Sequence, residues 1–289
     1  MAQEKTVTLR TLRRMKKEGE RIAMVTAYDY PSARLAEEAG TDIILVGDSL
    51  GMVVLGYDST VPVTLEEMLH HTKAVTRGAR RPLVVTDLPF LTAHLSKDDV
   101  LRAAGRLMQE GGARAVKIEG GEEVLSAVRS CVAAGIPVMA HIGLTPQSVH
   151  QLGGYLIQGR ELESARRLIH EAKQLEEAGA FAVVLECVPE ELAESIAQTV
   201  SIPVIGIGAG RGCDGQVLVY HDLLQYGAGS SPSFVKVFSQ TGQSALSGLQ
   251  SYVEEVRSGA FPSEEHVFPL KSGVLERLYG EGGDKDAGG

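Results

Sequence analysis

The chain has 289 residues, enough for one large α/β domain or two smaller ones with a full hydrophobic core. Its 44% hydrophobic and 22% charged residues are ordinary for a globular protein, and a formal net charge of −9 argues against nucleic acid or an anionic membrane as the main partner. No uncharged apolar run reaches the roughly 18 residues of a membrane span, and the charged N-terminus lacks the apolar core of a secretory signal.

The three cysteines, Cys131, Cys187 and Cys213, have no paired spacing. An odd number without a CxxC motif indicates reduced thiols rather than a disulfide framework. We therefore expect a cytoplasmic protein.

Short β-branched segments alternate with amphipathic segments along the chain. The predicted strands, in chain order, are 21–29, 42–48, 82–89, 115–121, 137–143, 181–187 and 203–210, with 216–222 as an eighth. The helical patterns between them include 32–40, 64–79, 97–112 and 164–179, and Thr64 with Glu67 matches a capping box. Continuous apolar strands that alternate with helices indicate a parallel sheet covered on both faces.

Eight such units without an internal linker predict a (β/α)8 TIM barrel, whose usual size is about 250 residues. An open doubly wound sheet is the alternative. We predict one barrel domain over 1–279 with an N-terminal helical extension, and a disordered tail over 280–289, which is rich in glycine and aspartate.

Charged side chains stand at the predicted strand ends. In a barrel the active site lies at the carboxyl ends of the strands, so these side chains are expected to converge. The strand-end residues are Asp29, Asp48, Asp87, Glu119, His141 and Glu186. Because residues two apart on a strand share a face, the pairs expected to point inward are Val46 with Asp48, Val85 with Asp87, Lys117 with Glu119, Met139 with His141, and Val184 with Glu186.

Asp48, Asp87 and Glu119 end three successive strands. Two unit charges about 4 Å apart repel by roughly 4 kcal/mol at an effective dielectric of 20, so three ionised carboxylates would hold either a proton or a cation. Oxygen ligands without cysteine favour a hard divalent ion, Mg²⁺ before Mn²⁺ or Zn²⁺. For any single acid, capping a helix or pairing with an arginine is the simpler interpretation; the three together favour metal.

Two further polar residues sit on the predicted strands. Lys117 needs a partner inside an apolar barrel, and would either clamp a substrate anion or pair structurally with Glu119. His141 is expected to support neighbouring groups or fill the core rather than to catalyse. The glycines of the segment 206–210 lack the G-x-G-x-x-G spacing, so a close backbone approach or tight packing is expected there instead of a dinucleotide loop.

Long blocks of the chain resemble the ketopantoate hydroxymethyltransferase (3-methyl-2-oxobutanoate hydroxymethyltransferase) family. They include "GDSLGMVVLGYDSTVPVTLEEM", "VVTDLPF", "AVKIEGG" and "PVMAHIGLTPQSVHQLGGYLIQGR", and the similarity runs in order over residues 5–270. The resemblance implies a cytoplasmic (β/α)8 enzyme of pantothenate and coenzyme A biosynthesis that uses Mg²⁺ or another divalent ion. It would transfer the one-carbon unit of 5,10-methylenetetrahydrofolate to 3-methyl-2-oxobutanoate, through a metal-stabilised enolate, giving 2-dehydropantoate. The family also forms homo-oligomers, commonly decamers.

The resemblance also implies roles for single residues. Asp48 and Asp87 would be metal-site acids, and Glu119 would complete the site. Ser49 and Lys117 would contact the carboxylate of the oxo acid. Asp48 and Asp87 would also take part in binding this substrate. Glu186 would be the general base.

The chain departs from the family pattern in two loops. Residues 91–93, Leu-Thr-Ala, stand where the family usually has Gly-Ser-Tyr, and Ser233 replaces a usual lysine in the segment 225–238. Neither change removes a metal or base residue.

Two other classes of function fit parts of this pattern. A Mg²⁺-dependent C–C lyase of the isocitrate lyase or phosphoenolpyruvate mutase type also binds 2-oxo acids at strand-end acids, but the chain has no K-K-C-G-H-type segment. A non-catalytic ligand-binding barrel would have no use for both a metal site and a spare base.

Overall fold

The computed structural model describes residues 6–154, 156–227 and 232–280. Eight parallel strands close into a barrel in the order of the sequence, and β8 pairs with β1. This closure confirms the TIM barrel and excludes the open sheet. The strands are β1 Ile22–Thr26, β2 Ile43–Val46, β3 Leu83–Asp87, β4 Ala115–Glu119, β5 Val138–Gly143, β6 Ala182–Glu186, β7 Val204–Ile207 and β8 Gly215–Leu218.

Helices follow the strands as the amphipathic patterns predict. The predicted capping box is present at α4, where the Thr64 hydroxyl accepts the Glu67 N–H and the Glu67 carboxylate accepts the Thr64 N–H at 2.7 Å. No helix in the described ranges is both long and apolar enough to cross a membrane. The helices are α1 Leu9–Glu18, α2 Tyr30–Glu38, α3 Leu50–Val53, α4 Leu65–Gly78, α5 Lys97–Gln109, α6 Leu125–Ala133, α7 Val149–Leu152, α8 Leu162–Glu177, α9 Glu190–Thr199, α10 Tyr220–Leu223, α11 Thr241–Ser258 and α12 Val274–Gly280.

The strands separate two buried layers. Val85, Met139 and Val184 belong to the layer inside the barrel, as predicted. Val46 instead packs in the outer layer, between strands and helices, so the prediction that it points inward was wrong. The reason is that β2 ends at Val46, and Asp48 reaches the barrel mouth through a turn in which the two-residue alternation no longer holds.

The chain forms two compact units, 1–239 and 240–289. The first contains the barrel. The second contains α11 and α12, and in it the rings of Tyr252 and Phe261 pack edge to face with their centroids 5.8 Å apart. We predicted a single domain over residues 1–279, and this remains a prediction that the division into two units does not test. The predicted tail, apart from Gly280, lies outside the described residues.

Leu91 occupies a backbone conformation that favours glycine, with φ 67° and ψ −23°, and its side chain is half exposed. A left-handed conformation costs a residue other than glycine about 1–2 kcal/mol, while glycine loses about 0.5–1 kcal/mol more entropy on folding. We therefore expect Leu91→Gly to raise the free energy of unfolding by about 0.5 kcal/mol, measured by urea denaturation. Leu95→Gly is the matched control.

Leu95 is equally exposed but has φ −78°, so its replacement by glycine should only lower stability. Equal losses in the two variants would contradict the strain at Leu91.

Candidate active site

Three acids from successive strands meet in one buried cluster. Asp87 and Glu119 are the last residues of β3 and β4, and Asp48 lies two residues beyond β2. One carboxylate oxygen from each lies within 4.8 Å of the others, and all three residues are buried. The predicted convergence of Asp48, Asp87 and Glu119 is therefore correct.

The strand register brings polar partners beside the acids. Asp87 pairs with Lys117 across β3 and β4, and Glu119 pairs with His141 across β4 and β5. Neighbouring strands of a sheet lie about 4.8 Å apart, so paired side chains on the inner face can contact one another.

Gly47 lets the end of β2 approach the cluster. A Cβ at this position would lie 2.8 Å from Ser49 Oγ and 3.6 Å from Asp87 Oδ2. The backbone N–H of Asp48 donates to Asp87 Oδ2 at 3.0 Å. The small residue thus allows a hydrogen bond that fixes the turn carrying Asp48 against the next strand.

Lys117 is the buried cation of the cluster, with 3% of its surface exposed. Its Nζ lies 3.1 Å from Asp87 Oδ1, 3.1 Å from Glu119 Oε1 and 3.0 Å from His141 Nδ1. The expected pairing with Glu119 is present as a hydrogen bond, and Asp87 is a second acid within ion-pair distance.

His141 connects the acid cluster to Glu186. Its Nδ1 lies 3.2 Å from Glu119 Oε1, and its Nε2 lies 3.3 Å from Glu186 Oε2. Glu186 ends β6, and its side chain is 15% exposed, against 4% for that of Glu119. The predicted base candidate is therefore the acid of this group that reaches furthest toward solvent.

Gly143 makes room for the end of β6. It has φ 93°, and a Cβ there would lie 2.4 Å from the carbonyl oxygen of Glu186. Leu144 donates its N–H to the same carbonyl at 2.8 Å. A side chain at residue 143 would displace the backbone of Glu186. The glycine therefore fixes the backbone position from which the Glu186 carboxylate extends.

Burial and neighbouring charges shift the pKa values of the three acids in different directions. Burial, then the charges of Glu119 and Asp87, raise the pKa of Asp48 well above its ordinary value. Burial also raises the pKa of Asp87, although Lys117 opposes it. Burial acts to raise the pKa of Glu119 too, but the charges of Lys117 and His141 lower it to about 2. Glu119 is therefore the most firmly ionised of the three acids.

The acids hold both cations in their charged forms. Burial acts to lower the pKa of Lys117, but the charges of Asp87, Glu119 and Asp48 raise it above its ordinary value. Burial and the Lys117 charge act to lower the pKa of His141, and Glu119 and Glu186 outweigh them and raise it to about 9. The short contact between the two cations is tolerated because four acids surround them.

Ser49 and Asp29 are the remaining candidates, and only Ser49 adjoins a residue of the acid cluster. Ser49, partly buried, follows Asp48 directly, and its hydroxyl lies 2.9 Å from the Tyr28 hydroxyl. Asp29 does not join the cluster: it caps α2 by accepting the Ser32 N–H at 2.8 Å. For Asp29 the simpler interpretation, helix capping, is the correct one.

Gln147 is a site residue that the sequence pattern did not single out. Its side-chain amide donates to Asp48 Oδ2 at 2.8 Å and to the carbonyl oxygen of Leu88 at 2.9 Å. Its backbone N–H donates to Glu119 Oε2 at 3.1 Å. The available signal was its place in the loop after β5, at the end of the barrel where active sites lie.

The donor set fits a hard divalent cation. Three buried carboxylates offer oxygen ligands only, which Mg²⁺ and Mn²⁺ prefer. Asp87 Oδ1 is buried and has no aligned hydrogen bond, although Lys117 lies nearby, so a lone pair is left for a cation.

Fold and site together define the class of this protein: a (β/α)8 barrel enzyme with an acidic cluster, suited to a cation, at the carboxyl ends of its strands. The family model described as ketopantoate hydroxymethyltransferase matches residues 6–264. The chain belongs to the ketopantoate hydroxymethyltransferase family.

Curated relatives cover nearly the whole chain. Over 267 residues the chain is 58% identical to the 3-methyl-2-oxobutanoate hydroxymethyltransferase of Bacillus cereus, with 92% of this chain and 96% of that protein covered. Over 273 residues it is 56% identical to the protein of the same name from Carboxydothermus hydrogenoformans, with 94% and 99% covered.

Solved structures of other enzymes share the architecture. The phosphoenolpyruvate phosphomutase of Streptomyces platensis subsp. rosaceus superposes with a TM-score of 0.59 at 19% identity, covering 95% of this chain and 96% of that one. A 2,3-dimethylmalate lyase gives a TM-score of 0.55 at 18% identity, covering 95% and 99%. At such identities the likeness shows the barrel fold alone.

Proposed function

We propose that the chain is a 3-methyl-2-oxobutanoate hydroxymethyltransferase, which converts 3-methyl-2-oxobutanoate and 5,10-methylenetetrahydrofolate to 2-dehydropantoate. The observation that carries the proposal is the buried cluster of Asp48, Asp87 and Glu119, joined through His141 to Glu186, in a member of this family. Such a site combines a place for a cation with a separate carboxylate that can accept a proton.

In this proposal Asp48, Asp87 and Glu119 hold a divalent ion, Mg²⁺ first. When bound, the ion would supply a Lewis acid that withdraws electrons from the 2-oxo group and stabilises the enolate. Ser49 and Lys117 receive the substrate carboxylate. Lys117 already contacts Asp87, Glu119 and His141, so the substrate carboxylate enters a crowded environment and competes with the two acids for the ammonium.

Glu186 removes the proton on C3 of the oxo acid, and the resulting carbon nucleophile bonds to the methylene carbon of the folate after one of the two C–N bonds of that carbon has opened. Water then supplies the hydroxyl group as the second C–N bond breaks, and tetrahydrofolate leaves. The His141 ring, held between Glu119 and Glu186, keeps the base oriented toward the barrel mouth. A base needs hydrogen-bond reach to the proton it takes, and the partly exposed carboxylate of Glu186 offers it at the substrate side.

A coupled assay for 2-dehydropantoate tests the proposal. The product should form only when the oxo acid and methylenetetrahydrofolate are both present, and chelation by EDTA should stop it until Mg²⁺ is restored. Cleavage of a 2-oxo acid without folate would instead identify a C–C lyase, the alternative whose enzymes share the fold.

We also propose a cytoplasmic homo-oligomer, with the decamer of the family as the expected form. Cys131, Cys187 and Cys213 are free thiols, in keeping with a reducing compartment. None of the residues of α11 is buried, although its sequence carries Leu249, Val253 and Val256 at helical spacing. An apolar helix surface of this kind suits contact between subunits.

A further inference from the structure

We propose that Gln147 is a positioning residue of the acid cluster, one that holds the Asp48 carboxylate in the orientation that binds a divalent cation. The inference rests on the proposed metal site and adds to it a residue from the loop after β5. Gln147 lies in the 3₁₀ turn Pro146–Ser148 and is partly buried.

Both hydrogens of the Gln147 amide are used. One goes to Asp48 Oδ2 at 2.8 Å and the other to the Leu88 carbonyl at 2.9 Å. The Leu88 carbonyl follows β3, so it anchors the amide and decides that its nitrogen, not its oxygen, faces Asp48. The amide thereby joins the loops that follow β2, β3 and β5.

Asp48 needs such a partner more than its neighbours do. Asp87 and Glu119 are strand residues whose direction follows from the barrel, and Lys117 contacts both. Asp48 lies beyond β2, is fully buried, and faces two like charges that would push its carboxylate away. A neutral amide donor counters that repulsion without bringing a positive charge that competes with the metal.

The backbone N–H of Gln147 makes a second, separable contact. It donates to Glu119 Oε2 at 3.1 Å, and a change of side chain at residue 147 leaves this donor in place. Substitution of the side chain therefore tests the hydrogen bond to Asp48 separately from the contact with Glu119. Hydrogen-bond partners of metal ligands are typically worth about 10–100-fold in metal affinity.

The test compares the wild type with Gln147→Met, which keeps the length of the side chain but has no donor. Calorimetric titration with Mn²⁺ should show affinity weakened by about 10–100-fold, and the visible spectrum of bound Co²⁺ should change because the ligand set is reoriented. Gln151→Met is the matched control: Gln151 lies exposed in the short helix α7, close to Gln147 in the chain, and this variant should bind Mn²⁺ as the wild type does.

Saturating Mn²⁺ should restore most of the turnover of Gln147→Met, which damage to the fold alone would not permit. If that variant does not fold, Gln147→Asn, which is one methylene too short to reach Asp48, should show the same weakening. A folded variant with the Mn²⁺ affinity and Co²⁺ spectrum of the wild type would overturn the role of Gln147. Failure of the wild type itself to bind Mn²⁺ would refute the metal site instead.

Discussion

Glu186→Gln is expected to slow turnover by about 10²–10⁴-fold, the usual contribution of a general base. Glutamine keeps the size of the side chain and can still lie against His141, but it cannot accept a proton. With Mg²⁺ and tetrahydrofolate present, the wild type should exchange the C3 proton of 3-methyl-2-oxobutanoate with D₂O. The variant should lose this exchange to the same degree as turnover, measured by NMR and by the coupled assay.

The substitution should leave binding of the oxo acid and of the metal nearly unchanged, because Glu186 is not one of the three clustered acids. Glu190→Gln is the matched control: Glu190 lies four residues further on and pairs with Arg211 at 2.8 Å. Exchange at the wild-type rate with slow turnover would assign Glu186 to a later step.

Asp48→Asn is expected to abolish measurable binding of Mg²⁺ or Mn²⁺ and to reduce turnover by at least about 10³-fold. The reduction follows because a catalytic metal contributes several kcal/mol to the transition state, and about 1.4 kcal/mol corresponds to a factor of ten. Asparagine retains an oxygen that can accept the Gln147 amide, but it removes one of the three negative charges. Calorimetry with Mn²⁺ and the coupled assay measure the two effects.

The metal-free variant should unfold at a temperature no lower than the metal-free wild type. Asp48 is buried beside two other carboxylates, so its charge costs folding energy at neutral pH, where the raised pKa shows that the folded state resists ionisation. Removing the charge relieves this cost. Asp29→Asn is the control at the same end of the barrel, because asparagine also caps helices.

A marked fall in the melting temperature of metal-free Asp48→Asn, together with unchanged Mn²⁺ affinity, would contradict a metal role. Asp48 would then be a structural acid held by Gln147.

The barrel could be predicted because its signals are local. Apolar strands of four to six residues, amphipathic helices and the Thr64 capping box are visible within short windows of sequence. The cluster of Asp48, Asp87 and Glu119 could be predicted as well, since parallel strands end at one edge and successive strands lie side by side. The resemblance to the family implied roles for individual residues, which these local patterns could not distinguish.

Tertiary structure decided which strand-end acids lie together and which residues contact them. Asp29 and Asp48 look alike in sequence, yet one caps a helix and the other enters the cluster, because the turn at Gly47 carries Asp48 to Asp87. The bond from Gln147 to Asp48 joins residues 99 positions apart. Periodicity describes neighbours along the chain, whereas such contacts depend on how loops fold over the closed barrel, so only the packed structure could reveal them.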